Sequence, residues 1–600
     1  MDSHLSRPGP PLRALLPVRL IALGIVCGLA MAGLIARLAY LQLVIHPQLL
    51  QRSEGNRLRI VPIPASRGNV YDRKGRLLAG SRFSYSVTLH PTKLDKKSAD
   101  EVYQRLEELL ALPAEDIARK VAAAGFQSPY PIYLKRDVDD QTIAQLLENQ
   151  TKFPGIGISQ EAVRFYPHGR LAAHVLGYTG EITQKELETR APKGYKSGDI
   201  MGKAGLERIY DETLRGQDGG TYMEVDARGR TIRQFKVEEP VQGTHLVLSV
   251  DFDLQKAAEK HLEGQKGAVI VMDVNTGEVL AMASKPDYDP NLFTGTISPK
   301  DWKEVQAQDH PFHNRALNAY PPGSTFKIVT TIAGAETGVV TPSSLWMSTG
   351  YLRIGGMVMH DHEAHGAVNI EQAFAYSVNT AYSEIGLRTG IGPIKLWADA
   401  FRLGTATGIS LPGEADGHIP DRAWKKKYIK EDWYAGDSAN SAIGQGFNQV
   451  TPLQAARMMV ALGNGGDVLK PELVKSIRQP NGATKQMLKH EVQNHVTIKP
   501  LTMDMLNRGM IGSVKYGTSG ILARPDIVVG AKTGTAQDPP RKDHAWMVAL
   551  APMHKPRIAI AVFVENGGWG ASTAGPIAKT MIEVLIPPPK PPEAKKPVTP

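Results

Sequence analysis

The chain has 600 residues, 42% of them apolar and 22% charged, so it buries at least one large core and is not a wholly disordered polymer. Lys and Arg number 70 against 60 Asp and Glu, a net charge of +10, which favours an anionic neighbourhood: a membrane face, a nucleic acid or an acidic polymer. The single cysteine, Cys27, excludes an intrachain disulfide and a CxxC-type zinc site.

Residues 20–36 (LIALGIVCGLAMAGLIA) carry no charge, and after Arg37 the apolar run resumes as far as Ile45. An apolar stretch of about 20 residues is the length that crosses a bilayer. Arg7, Arg13 and Arg19 precede it, and positive flanks stay in the cytoplasm. The expectation is a cytoplasmic tail over 1–19 and a transmembrane anchor over 20–45, with everything after it exported. A cleaved signal peptide is the alternative, although the run exceeds an h-region and no Ala-x-Ala site follows in a polar setting. A lipoprotein box at Cys27 would need small residues where Ile25 and Val26 stand.

Residues 46–240 are mixed in pattern. The stretch 67–75 reads as a short strand ending in a Lys-Gly turn, and 99–112 has helical spacing. Residues 204–211 read as one helix stopped by the glycines of 216–220. No nucleophile or acid–base pair stands out here, so this part reads as a positioning or interaction module. After Gly243 come a strand over 245–250, a helix over 254–262, and two apolar runs, 267–273 and 278–284, around the hairpin signal Asn275-Thr276-Gly277. Residues 544–551 and 557–565 form a second strand pair. One antiparallel sheet built from both ends, with a helical half inserted between them, accounts for this order over 244–587. The Pro-rich tail 588–600 cannot form a core and reads as disordered.

Three segments carry chemistry. Pro321-Pro322-Gly323-Ser324-Thr325-Phe326-Lys327 precedes an apolar run, so a helix should start near Ser324 and bring Lys327 to the Ser324 hydroxyl. A serine needs an adjacent base to become a nucleophile, and a lysine serves only if burial or a second cation lowers its pKa. Ser377-Val378-Asn379 falls in a predicted helical region over 369–386. Lys532-Thr533-Gly534-Thr535 follows the apolar run 527–531, read as a strand. Taken singly, each is a helix cap, a loop or a turn. Together, Ser-x-x-Lys, Ser-x-Asn and Lys-Thr-Gly, in that order across one inserted helical region, are the signature of penicillin-binding proteins and serine β-lactamases.

With these motifs, the chain resembles the class B penicillin-binding proteins, and most the type that serves lateral wall elongation. The resemblance extends over about 56–575 through Arg67-Gly68 to Gly75, Gly198-Asp199 to Glu207, Gly436-Asp437, Ile443-Gly444-Gln445-Gly446, Thr451-Pro452-Leu453-Gln454 and His544-Ala545-Trp546. It implies a mixed α/β fold: a transmembrane helix, an elongated pedestal or dimerisation-type module over 46–240, and a penicillin-binding transpeptidase domain over 244–587. Carried over residue by residue, Ser324 is the acylated nucleophile and Lys327 its base. Ser377 relays a proton, and Asn379 holds the donor peptide. Lys532 tunes Lys327, and with Thr533, Gly534 and Thr535 it receives the terminal carboxylate. The backbone N–H groups of Ser324 and Thr535 make the oxyanion hole.

The implied activity is D,D-transpeptidation of peptidoglycan stem peptides on lipid-linked or nascent glycan, inhibited by β-lactams and needing no cofactor. The implied partners are a glycan polymerase of the SEDS family (RodA-type) and an elongation scaffold (MreC-type) at the inner membrane, with the catalytic domain periplasmic and no nucleic acid involved. Gly24, Gly28 and Gly33 would allow close packing of the anchor. No metal is expected: some relatives carry an Asp/His/Cys cluster near the middle motif, but here Val378 stands where a cysteine would be, beside the His-rich 360–365. A D,D-carboxypeptidase or β-lactamase, with water as acceptor, and a non-catalytic β-lactam sensor or scaffold are the competing readings.

Overall fold

A computed structural model describes residues 15–46, 58–126, 128, 131–225, 231–295 and 297–589. Most of the expected amino-terminal tail, and the carboxy-terminal tail from residue 590, lie outside them. The chain divides into two units, 1–64 with 218–240, and 65–217 with 241–600.

In the first unit, helix α1 (Leu15–Ala39) runs into a π-helical turn over Tyr40–Val44. Together they give one apolar helix, Pro17–Val44, long enough to cross a membrane and with its side chains unburied. At Gly24, Gly28 and Gly33 a Cβ would meet nothing within 4 Å beyond the adjoining helix backbone. Strands Leu58–Ile63, Gly219–Val225 and Thr231–Glu238 form an antiparallel sheet. Gly219 and Gly220, expected to stop a helix, begin the middle strand of this sheet.

In the second unit, the long strand Leu77–Leu89 pairs antiparallel with Ile156–Phe165 and Ile132–Val138. Helices Ala99–Leu110, Ala114–Ala124 and Asp140–Glu148 cover them, burying Val102, Leu106, Ile117, Val121 and Ile143. The expected single helix over 204–211 is two short ones, Gly205–Ile209 and Asp211–Arg215. Tertiary bonds hold Asp211 at the break: its carboxylate accepts from the Gly202 amide at 2.8 Å and from Arg67 at 2.8 Å. Arg67 also binds Glu207 (2.8 Å), which in turn accepts from Arg164 Nε (2.6 Å), so four charged groups are buried as one paired network.

Helix α2 (Phe252–His261) precedes strands β1 (Gly267–Asp273) and β2 (Val279–Lys285), which form the expected hairpin. The Asp273 carboxylate accepts the amides of Asn275 and Thr276 in the turn, and Gly277 takes φ +72°. Helices α3 (Lys327–Glu336), α4 (Ile370–Ala375), α5 (Asn379–Thr389) and α6 (Pro452–Gly463) belong to the inserted region. The chain then returns as β3 (Gly530–Ala536), β4 (His544–Ala551), β5 (Ile558–Val564) and α7 (Gly570–Leu585). The five strands make one antiparallel sheet in the order β2-β1-β5-β4-β3, built from both ends of the region.

Both faces of this sheet are covered, which is why its strands read as continuous apolar runs rather than alternating ones. Val269, Val271, Met547 and Val562 pack with Leu254 and Ala258 of α2 and Ile577 and Met581 of α7. Ile270, Met272, Trp546 and Phe563 pack with Phe326, Ile328 and the α6 residues Ala456 and Met459. The third motif therefore lies on an edge strand, one side of which pairs with no other strand among the described residues, next to the helical region.

Candidate active site

The turn that presents Ser324 is fixed by close backbone contacts. Pro321 and Pro322 lead into Gly323 at φ +52°, a tight 3-10 turn spans Gly323–Phe326, and the α-helix proper starts only at Lys327. A Cβ at Gly323 would lie 2.8 Å from the Thr535 carbonyl oxygen, so the turn rests directly on the edge strand. The Thr325 hydroxyl closes it by donating to the Pro322 carbonyl at 2.8 Å. Ser324 itself is half-buried. The Ser324 hydroxyl has no hydrogen-bond partner among the described residues, Lys327 included. The Lys327 amine is instead turned to the second motif, donating to the Ser377 carbonyl (2.7 Å), Asn379 Oδ1 (2.8 Å) and Ser377 Oγ (3.2 Å).

The second motif breaks the helix predicted over 369–386. Helix α4 ends in a Schellman arrangement: Ser377 N–H donates to Phe374 O (3.1 Å) and Val378 N–H to Ala373 O (2.9 Å). This puts Ser377 in the left-handed region at φ +61°, where glycine is usual. Strain of this kind at a non-glycine residue concentrates at functional sites. Here it turns both the Ser377 hydroxyl and its carbonyl toward Lys327.

The third motif lies wholly within β3, which starts three residues further on than the strand read over 527–531. Gly534 is required there by packing: a Cβ would meet Trp546 Cβ at 2.9 Å, Thr325 Cγ2 at 3.0 Å and the Pro322 carbonyl at 3.1 Å. Gly570, the first residue of α7, presses on the same glycine: a Cβ on Gly570 would stand 2.5 Å from the Gly534 carbonyl oxygen. Lys532 donates to the Thr533 carbonyl (3.0 Å), the Thr533 and Thr518 hydroxyls share a hydrogen bond (2.7 Å), and Gln445 Nε2 donates to the Thr535 carbonyl (3.2 Å).

Two lysines thus stand behind the serine, each 0% exposed. Burial pushes Lys532 down to about 7. Lys327 lies well below the ordinary lysine value, first through burial and then through the charge of Lys532, with Asp361 opposing. The Lys327 shift favours an uncharged amine at neutral pH, the state in which a lysine accepts a proton, while Lys532 stays partly charged there. Of the His-rich segment, His362 packs at a tilt against Trp569 (centroids 4.4 Å apart) and His365 stacks on Tyr376 (4.7 Å). Among the described residues no group of three His, Cys, Asp or Glu side chains converges to hold a metal ion.

Gly444 and Gln445 belong to the site too, although the sequence marks them only through family resemblance. The Gly444 carbonyl accepts the Gly323 amide at 2.9 Å, and Gln445 braces Thr535. Their one signal in the sequence is the Gly-Gln-Gly spelling. Asp361 stands out in the sequence only as part of a histidine cluster, yet it binds the first turn of α5.

A serine at the head of a helix, two buried lysines and an open strand edge define a serine acyl-transfer site. The penicillin-binding protein transpeptidase domain matches residues 267–583, and the penicillin-binding protein dimerisation domain matches 62–248. The chain is 33% identical to the peptidoglycan D,D-transpeptidase MrdA of Acinetobacter baumannii over 92% of its own length and 85% of that protein's. It is also 33% identical to MrdA of Escherichia coli K12, over 92% and 91%. The peptidoglycan D,D-transpeptidase FtsI of the same organism is 27% identical over 94% and 90%. Among solved structures, PBP2 of Helicobacter pylori in complex with MreC superposes with a TM-score of 0.74 at 28% identity, covering 88% of this chain and 99% of that one. Pseudomonas aeruginosa PBP2 in complex with WCK 5153 gives 0.67 at 30% identity, covering 88% and 97%. The chain belongs to the penicillin-binding protein transpeptidase family.

Proposed function

We propose that this protein is a peptidoglycan D,D-transpeptidase of the cell-elongation type, a target of β-lactams. The observation that carries the reading is the Lys327 amine, fully buried beside Lys532 and bound to Ser377 and Asn379, one helical step from Ser324. Lys327 takes the proton as Ser324 Oγ attacks the penultimate D-Ala carbonyl carbon of a stem peptide. The oxyanion is received by the backbone N–H groups of Ser324 and Thr535; losing one such donor typically costs about 3–4 kcal/mol in the barrier. The C–N bond breaks, Ser377 relays the proton to the leaving D-Ala amine, and an ester to Ser324 remains. The side-chain amine of a neighbouring stem attacks that ester, an amide forms, and Ser324 regains its proton. Asn379 holds the donor peptide, while Lys532, Thr533, Gly534 and Thr535 receive its terminal carboxylate. The chemistry is carried by positioned protein groups.

The likeness to a PBP2 solved with MreC, and to a chain of a peptidoglycan synthase complex that coordinates polymerisation and crosslinking, supports a MreC-type scaffold and a RodA-type glycan polymerase as partners. The apolar amino-terminal helix serves as a single inner-membrane anchor over 20–45, amino terminus in the cytoplasm. The pedestal module over 46–240 and the transpeptidase domain over 244–587 lie in the periplasm. Product analysis with donor and acceptor stem peptides tests the reaction: a crosslinked dimer is expected, and release of free tetrapeptide alone would mean that water is the acceptor.

A further inference from the structure

Helix α5 begins with a capping problem. Its N-cap position is Val378, whose side chain cannot accept a hydrogen bond, so the first-turn amides need a partner from elsewhere. Asp361, on a loop many residues upstream, supplies one. Its carboxylate accepts the Thr380 amide at 2.9 Å and the Thr380 hydroxyl at 2.5 Å, and it is steadied by the Ser348 hydroxyl at 2.9 Å. The Asp361 amide donates to Gly350 O (2.9 Å), and the His365 amide donates to Ser348 Oγ (3.2 Å), so both sides of the loop are tied down.

The residue next to Asp361 reaches the catalytic amine through one side chain. The His360 carbonyl accepts from Asn379 Nδ2 at 3.0 Å, while Asn379 Oδ1 accepts from Lys327 at 2.8 Å. A carboxamide has one donor end and one acceptor end. Turned over, it would face the Lys327 amine with an NH2 group and the His360 carbonyl with an oxygen. The loop position therefore dictates which end of Asn379 meets Lys327. We propose that Asp361 is a positioning residue for the acyl-transfer reaction: it caps α5 from a distance, holds His360 against Asn379, and so orients both Asn379 and the Lys327 amine. The proposal rests on the transpeptidase reading of the site above.

The charged and titratable groups facing Lys327 are Lys532 from β3, Asp361 and His362 from the loop, and the Tyr382 ring of α5 at 5.1 Å. Asp361 is the anionic member. Removing its charge lowers the Lys327 pKa further, which gives the test a readout that loss of structure alone would not move. The second-order rate of acylation by a fluorescent penicillin is measured across pH for the full-length protein in detergent, alongside thermal melting. Asp361→Asn, nearly isosteric, is expected to melt close to the wild type. Its rate plateau should fall roughly tenfold, and the limb that follows Lys327 deprotonation should move about one unit toward lower pH. Asp361→Glu should return the limb toward its wild-type position. A wild-type plateau in Asp361→Asn, or a lowered plateau whose limb does not move, overturns the proposal. Labelling of the wild type, absent from Ser324→Ala, reports on the catalytic reading separately.

Discussion

The amide of Gly323 donates to the carbonyl of Gly444 at 2.9 Å, and a Cβ on Gly444 would stand 2.1 Å from the Gly323 carbonyl oxygen. The turn that carries Ser324 is thus held between Gly444 on one side and the edge strand on the other. Gly444 also sits at φ +74°, where any side chain is strained. Gly444→Ala is expected to displace the turn and lower the penicillin acylation rate about a hundredfold, because misplacement of a nucleophile by an ångström costs on that order. Stopped-flow acylation of the folded variant measures it.

In the proposed mechanism Lys532 serves function at the expense of stability. Its folded pKa, about 7, lies below the ordinary lysine value of 10.5, so the unfolded chain binds the proton more tightly. The resulting cost to the folded state is full below pH 7 and fades as the pH rises toward 10.5. Lys532→Met should abolish acylation, yet raise the urea midpoint at pH 7, with the difference shrinking by pH 10.

Glu259 on α2 has the opposite dependence. It accepts from the Ala172 amide (2.7 Å) and Gln255 Nε2 (2.8 Å), but burial pushes its carboxyl up to about 7 from 4.5. Below pH 4.5 the group is neutral in both states. As the pH rises through 4.5 to 7 the unfolded chain ionises first, and stability falls by up to about 3 kcal/mol. Glu259→Gln should therefore be more stable than the wild type at pH 8 and indistinguishable from it near pH 4.5 in urea titrations.

Glu207 pairs with both Arg67 and Arg164, and its side chain is 1% exposed. Glu207→Ala leaves two buried guanidinium groups short of a counter-charge, so a loss of about 3–5 kcal/mol is expected, again by urea midpoint.

The sheet is legible in the sequence because its strands are buried on both faces and read as uninterrupted apolar runs, as at 267–273 and 544–551. The three motifs are legible because their residue types and order are chemically constrained. The local backbone around them is not. Residues 369–386 have helical composition, and the left-handed kink at Ser377 is held by the Schellman bonds that end α4 and by the Lys327 amine on the Ser377 carbonyl, a tertiary contact that local spacing does not show. Apolar residues suggest a strand over 527–531, whereas β3 lies further on and contains two threonines and a glycine selected by the packing of Trp546 and Thr325. A cap supplied from Asp361 to Thr380 leaves no trace in local spacing, since the two are brought together only by the fold.

The proposed chemistry of the site turns on Ser324 as the acylated nucleophile. Mass spectrometry of the full-length protein after reaction with benzylpenicillin should find one penicilloyl adduct, on the peptide containing Ser324, and none on the Ser324→Ala variant. An adduct on another residue, or equal modification of both proteins, would mean that the nucleophile lies elsewhere.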